Sequence, residues 1–261
     1  MKESARRGNR ADIYGKEGEA MYYVYRPYAA YPNPILIAAA VIPAVLLLVY
    51  VYKKDRLEKE PPFLLGVLLL QGIVSTALAA YAERIGAKVL SAFFSDDSLI
   101  YKLLFYFLVV GIAEEGFKFL LLKWRTWTSP HFNCQFDGVV YAVFVSLGFA
   151  LWENIDYVVM YGFGAALLRA ITAIPGHACF GVFMGAWYGL AKSHERHGHA
   201  HYAQVSLRLS LLCPAALHGL YDLIAVSDRS SHAVFFIGFI VIMFFAAYLT
   251  VRNLSNRDRY I

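Results

Sequence analysis

The stretch Leu99–Leu122, LIYKLLFYFLVVGIAEEGFKFLLL, is long and apolar enough to cross a bilayer, yet it carries Glu114, Glu115 and Lys118 near its middle. About 20 apolar residues cover the hydrocarbon core. Each ionisable group at the centre of such a helix costs roughly 2.5–3.5 kcal/mol on insertion scales, so three within two turns nearly cancel the gain from the surrounding Leu, Val and Phe. Charges that persist at that depth mark functional sites by default. The stretch therefore sets the environment of the chain and points to a polar centre buried within it.

The rest of the chain agrees about the environment. It is 59% hydrophobic, only 16% charged, and has a mean hydropathy of +0.49, outside the range of soluble globular domains. Seven apolar runs are long enough to span: Pro34–Tyr52, Pro62–Tyr81, Leu99–Leu122, Phe136–Tyr161, Ala165–Ala191, Val205–Val226 and His232–Val251. The expected fold is an all-α, polytopic integral membrane helical bundle of about seven transmembrane helices. Residues 1–33 read as a polar, basic tail ending in a Tyr-rich interfacial segment, 34–251 as the transmembrane unit, and 252–261 as a basic tail. No internal repeat is visible, which weakens a transporter built from duplicated halves.

Charge and cysteine usage exclude other classes. The net charge of +5 falls mostly between apolar runs, where anionic lipid headgroups are the natural partner, and there is no nucleic-acid module. Cys134, Cys179 and Cys213 lie far apart and form neither a disulfide framework nor a thiolate zinc site. Lys53, Lys54, Arg56 and Lys59 follow the first span, so that loop is expected in the cytoplasm, with the amino terminus outside and the carboxyl terminus inside.

Polar residues on neighbouring spans then converge. At 1.5 Å rise per residue, Glu114, Glu115, Glu153, His177 and His218 all fall within roughly 6 Å of their span midpoints, and Asp222 about 9 Å outward. Glu114 and Lys118 are four apart on one face, which assigns the lysine to Glu114 and leaves Glu115 freer to change protonation. His218 and Asp222 are also four apart, so the carboxylate can fix the imidazole tautomer. His177, Gly181, Gly185 and Gly189 form a stripe suited to close helix packing, and Pro175 and Pro214 are expected to kink their helices.

These residues resemble the PrsW family of intramembrane proteases. Glu114-Glu115-Gly116-Phe117-Lys118 looks like its E-E-x-x-K motif and Phe149-Ala150-Leu151-Trp152-Glu153-Asn154 its F-x-x-x-E-N motif. Asp137-Gly138, His177, His218 with Asp222, and the loop Tyr52–Pro61 with Asp55, Glu58 and Glu60 are similar to the remaining polar signature. The family is related to the CAAX prenyl proteases and bacteriocin-immunity proteins; their motifs are E-E-x-x-x-R, F-x-x-x-H and H-x-x-x-N. Here Lys118 comes one residue earlier than the arginine, Glu153 replaces the histidine and Asp222 the asparagine.

The resemblance implies an intramembrane endopeptidase in the bacterial plasma membrane, acting on a membrane-anchored protein substrate such as an anti-sigma factor. Its site residues are then Glu114, Glu115, Lys118, Glu153, Asn154, His177, His218 and Asp222. Peptide hydrolysis needs an activated water, an oxyanion stabiliser and a proton for the leaving amine. Glu115 or Glu114 suits the acid/base role; the rest divides between a zinc ion held by Glu153, His177 and His218 and direct action of the histidines without metal. Outside the family, a proton-coupled or divalent-cation transporter, or a non-catalytic immunity-type membrane protein, stays open. The loop His194–His201, with four histidines, reads as solvated and pH-sensitive.

Overall fold

A computed structural model describes residues 34–226 and 230–261; the tail 1–33, with its Tyr-rich segment, lies outside them. The described chain is helical almost throughout: α1 (Pro34–Lys54), α2 (Pro62–Ser91), α3 (Leu99–Leu104), a π-helical segment (Phe105–Gly111), α4 (Ile112–Thr126), α5 (Asp137–Tyr161), α6 (Phe163–Ile171), α7 (Ala173–Arg196), α8 (Ala200–Ala225) and α9 (Ser230–Asn256). Among the described residues, six helical stretches are long and apolar enough to cross a membrane. The run from α3 to α4, interrupted by the π-helical segment, is not one of the six, although its length, about 40 Å at 1.5 Å per residue, suffices to span.

The bundle is organised around α5. Over its apolar window 78% of the residues are buried, against 17% in α1, whose outer face meets lipid. Small residues make this burial feasible, because van der Waals packing holds membrane helices together and rewards close backbone approach. At the α5–α7 crossing a Cβ on Gly138 would lie 2.6 Å from the Gly189 backbone nitrogen, so the stripe below His177 packs on protein as expected. On the opposite side, Gly72 of α2 meets α5 at Gly148, where a Cβ would lie 2.8 Å from the Phe149 nitrogen. Isolated glycines in apolar runs carry no periodic signal, which is why the sequence does not announce this second crossing.

Three expectations need correction. The second span does not end at Tyr81; α2 runs on to Ser91 and carries Glu83 toward the centre. The fifth span is broken at Thr172 (φ −118°, ψ −69°) into α6 and α7, and Pro175 sits in the first turn of α7, where its missing N–H leaves no bond broken. The carboxyl-terminal residues are not a free tail. α9 continues to Asn256, and the last residues pair with the loop before α5: Ile261 N donates to Asn133 O at 2.7 Å, and Cys134 and Tyr260 form a bridge.

Gly72→Ala is expected to lower thermal stability in detergent by about 1–3 kcal/mol through overpacking, whereas Gly66→Ala, with open space around its Cα, leaves it unchanged or slightly raised.

Candidate active site

The run that carries Glu114 and Glu115 reaches the bundle centre through its π-helical segment. Such segments are rare and recur at functional sites, because one extra residue per turn re-aims the side chains beyond it. Here the segment packs on α8 without side chains intervening: a Cβ on Gly111 would lie 2.6 Å from Ala215 O, and one on Gly219 would lie 2.8 Å from Tyr106 O. That contact brings His218 of α8 against the first turn of α4.

The centre is a buried ionic network. Glu115 and Lys118 are both fully shielded from solvent, and Lys118 Nζ donates to Glu115 Oε1 at 2.7 Å. Lys118 lies farther from Glu114, at 3.6 Å, so the lysine favours Glu115 rather than Glu114, the reverse of the helix-face expectation. The same Glu115 oxygen meets His218 Nδ1 at 2.9 Å. Lys118 also approaches His177 Nδ1 at 3.3 Å and caps the Phe149 ring at 3.9 Å. His218 stacks on Phe180 with ring centroids 4.7 Å apart, and His177 stands perpendicular to His218 at 5.2 Å. Asp222 lies 3.5 Å from His218 Nε2, a longer contact than the Glu115 bond.

Glu153 stands at the edge of this network. Its Oε2 accepts from His177 Nε2 at 2.9 Å and pairs with Arg169 at 2.8 Å. Arg169 also donates from Nε to Asn154 Oδ1 at 3.1 Å and lies over the Tyr157 ring. Asn154 itself donates to Ala40 O at 3.0 Å, tying α5 to α1 and leaving its amide out of the centre. Sequence reasoning misses Arg169 because a single arginine in the short α6 looks like an interfacial anchor. It misses Glu83, in Coulombic range of Glu153, His218, Asp222 and Lys118, because that residue follows the last apolar residue of its run.

A cavity of about 60 Å³, large enough for one or two waters, opens between Glu114, Glu153, Arg169, His177, His218 and Asp222. Glu114 lines it and Glu115 does not. Four side chains, Glu114, Glu115, His177 and His218, each present a ligand atom within 4.8 Å of the others and could hold a metal ion. Glu153 is outside this group, its Oε2 meeting Arg169 and His177 instead; the four converging donors share His177 and His218 with the expected set Glu153, His177 and His218 and add the two adjacent glutamates.

An acid–imidazole centre buried inside a polytopic helical bundle is suited to acid–base chemistry within a membrane, and the relatives of the chain say which. The sequence profile described as PrsW family intramembrane metalloprotease matches residues 59–249. Among curated proteins, the Protease PrsW of Oceanobacillus iheyensis is 33% identical over 85% of this chain and 96% of its own length; that of Bacillus subtilis is 36% identical over 72% and 82%. The Protease PrsW of Halalkalibacterium halodurans is 33% identical over 86% and 99%. The chain belongs to the PrsW family and is an intramembrane protease. No solved structure matches it significantly.

Removing one partner of a buried ion pair leaves the other charge uncompensated. Lys118→Met is therefore expected to destabilise the protein by about 3–5 kcal/mol, with Lys118→Met/Glu115→Gln recovering part of the loss; unfolding midpoints in one detergent measure both.

Proposed function

We propose that the chain, through its unit at residues 34–251, hydrolyses a peptide bond of a membrane-anchored protein within the bilayer, with Glu114 as the base that activates water. The observation that carries this is the division of labour between the glutamates. Both Glu115 partners, Lys118 and His218, bind one oxygen of a fully buried carboxylate, which suits positioning. Glu114 faces the cavity with its Oε2 unpartnered and His218 Nε2 3.7 Å away. Glu114 takes a proton from water as the oxygen attacks the carbonyl carbon, and delivers it to the amine nitrogen as the C–N bond breaks. Arg169, on the cavity wall, and His218 offer N–H groups to the developing oxyanion. Glu153 holds His177 in orientation, and Asp222 supports His218. Asn154 acts through Arg169 and the α1 contact as a positioning residue.

The same residues fit a metal ion. Glu114 Oε2 and Glu115 Oε2 are buried without partners, and two carboxylates against the one ammonium of Lys118 leave negative charge in a sealed pocket. In that case Glu114 would be a ligand rather than the free base: Glu114, Glu115, His177 and His218 would hold the ion, and a zinc ion bound there would polarise the water and lower its pKa. A membrane-anchored regulator such as an anti-sigma factor is the substrate class that a site buried among membrane-length helices would take. The gathering of Lys53, Lys54, Lys59, Lys192 and the carboxyl terminus around one end of the bundle supports a cytoplasmic placement of that end in a bacterial plasma membrane, with the amino terminus outside.

Cleavage of a co-expressed single-span substrate tests the reading. Glu114→Gln is expected to reduce it at least 100-fold, and Glu115→Gln and His218→Ala to reduce it strongly as well, with each variant still inserted at wild-type level. Undiminished cleavage in Glu114→Gln would remove the assignment.

A further inference from the structure

A second polar cluster lies outside the reaction centre, where the α1–α2 loop meets the loop before α5 and the carboxyl terminus. Six of the twelve buried side-chain N and O atoms that lack a hydrogen-bond partner among the described residues belong to it: both carboxylate oxygens of Asp55, Glu60 Oε1, Asn133 Oδ1, Asp137 Oδ1 and Asp258 Oδ2. All six are acceptors. Asp55 is 1% exposed and neither carboxylate oxygen has a hydrogen-bond partner; the Lys59 ammonium acts on it through space, and the Glu60 backbone N–H approaches outside hydrogen-bond geometry.

The donors nearby are already committed. Lys59 Nζ donates to the backbone carbonyls of Tyr52, at 2.6 Å, and Asp55. The N–H groups of Asn133 and Cys134 donate to the other oxygen of Asp137, at 3.0 and 2.7 Å. Phe136 N–H and Arg259 N–H donate to Asp258 Oδ1. Asn133 Nδ2 donates to Glu58 at 2.7 Å. The Tyr141 hydroxyl has one hydrogen for two acceptors, Glu60 Oε2 at 2.6 Å and His131 O at 3.0 Å. Buried carboxylates left in this condition are costly, and the cost is relieved by a counter-charge or a shared proton. Burial pushes the Asp55 carboxyl up to about 6, against the opposing pull of the Lys59 ammonium.

We propose that Asp55, Glu60, Asp137 and the side-chain carbonyl oxygen of Asn133 bind a hard divalent cation that retains part of its water shell. The donor set is oxygen only, which selects Mg²⁺ or Ca²⁺ over zinc. Among the described residues only the Glu114 group brings its donor atoms within 4.8 Å of one another, so the ion proposed here takes one or two of these carboxylates directly and the others through water. The ion ties the α1–α2 loop to the segment that opens α5, the helix carrying Glu153, with the carboxyl-terminal residues closing the third side.

The test uses the purified full chain in detergent, stripped with chelator, with Mg²⁺ and Ca²⁺ added separately. Saturating cation is expected to raise Tm by roughly 5 °C. Asp55→Asn should abolish the rise, whereas Glu114→Gln should keep it, separating this cluster from the reaction centre. Should Asp55→Asn fail to fold, equilibrium dialysis of the His177→Ala protein decides: about one equivalent of Mg²⁺ or Ca²⁺ retained per chain supports the site, and none overturns it. No rise with either ion, together with an Asp55→Asn protein more stable than wild type, would mean that protons alone hold the cluster and that the cation site does not exist.

Discussion

The ion pair of Lys118 with Glu115, sealed from solvent and shared with His218, is the interaction on which the rest of the structure depends. Two charges at the centre of a bilayer are tolerable only when each is matched by a partner at hydrogen-bond distance and the surroundings exclude alternatives. This requirement explains why four helices crowd the spot. α4 supplies the pair, α8 the first histidine, α7 the second, and α5 both the Phe149 ring beneath the ammonium and the Glu153 that turns His177. Loss of any wall exposes a charge to lipid.

The close crossings have the same origin. Imidazole and carboxylate must meet within about 3 Å, which two helices separated by large side chains cannot achieve. Gly111 and Gly219 let the π-helical segment press on α8, and Gly138 with Gly189 does the same for α5 and α7. The site is therefore built by backbone contact first and by side-chain chemistry second. Because the adjacent glutamates point about 100° apart on α4, the same packing buries one and leaves the other facing the cavity.

Much of this is legible in the sequence, for physical reasons. Apolar runs of membrane length are unambiguous, and ionisable residues within them stand out because each has an energetic cost. Hence the bundle and the convergence of Glu114, Glu115, Lys118, His177 and His218 can be read directly, whereas the full length of the second span and the break in the fifth cannot. Pairing cannot. Helical spacing assigns Lys118 to Glu114, but a flexible lysine reaches either neighbour, and tertiary contacts with His177 and Phe149 decide for Glu115. Spacing likewise cannot reveal that Arg169, on the short helix before the break at Thr172, pairs with Glu153. The acids around Asp55 stand out in the sequence only by their likeness to the family's polar signature, since nothing in it tells that the carboxyl terminus folds back over them.

The central claim is that Glu114, which lines the cavity, moves the proton while Glu115, tied to Lys118 and His218, holds the centre together. Parallel cleavage assays and unfolding midpoints of purified Glu114→Gln and Glu115→Gln proteins test it most directly. The account predicts cleavage lost and stability kept in Glu114→Gln, and both reduced in Glu115→Gln. Full cleavage by the Glu114→Gln protein would contradict it.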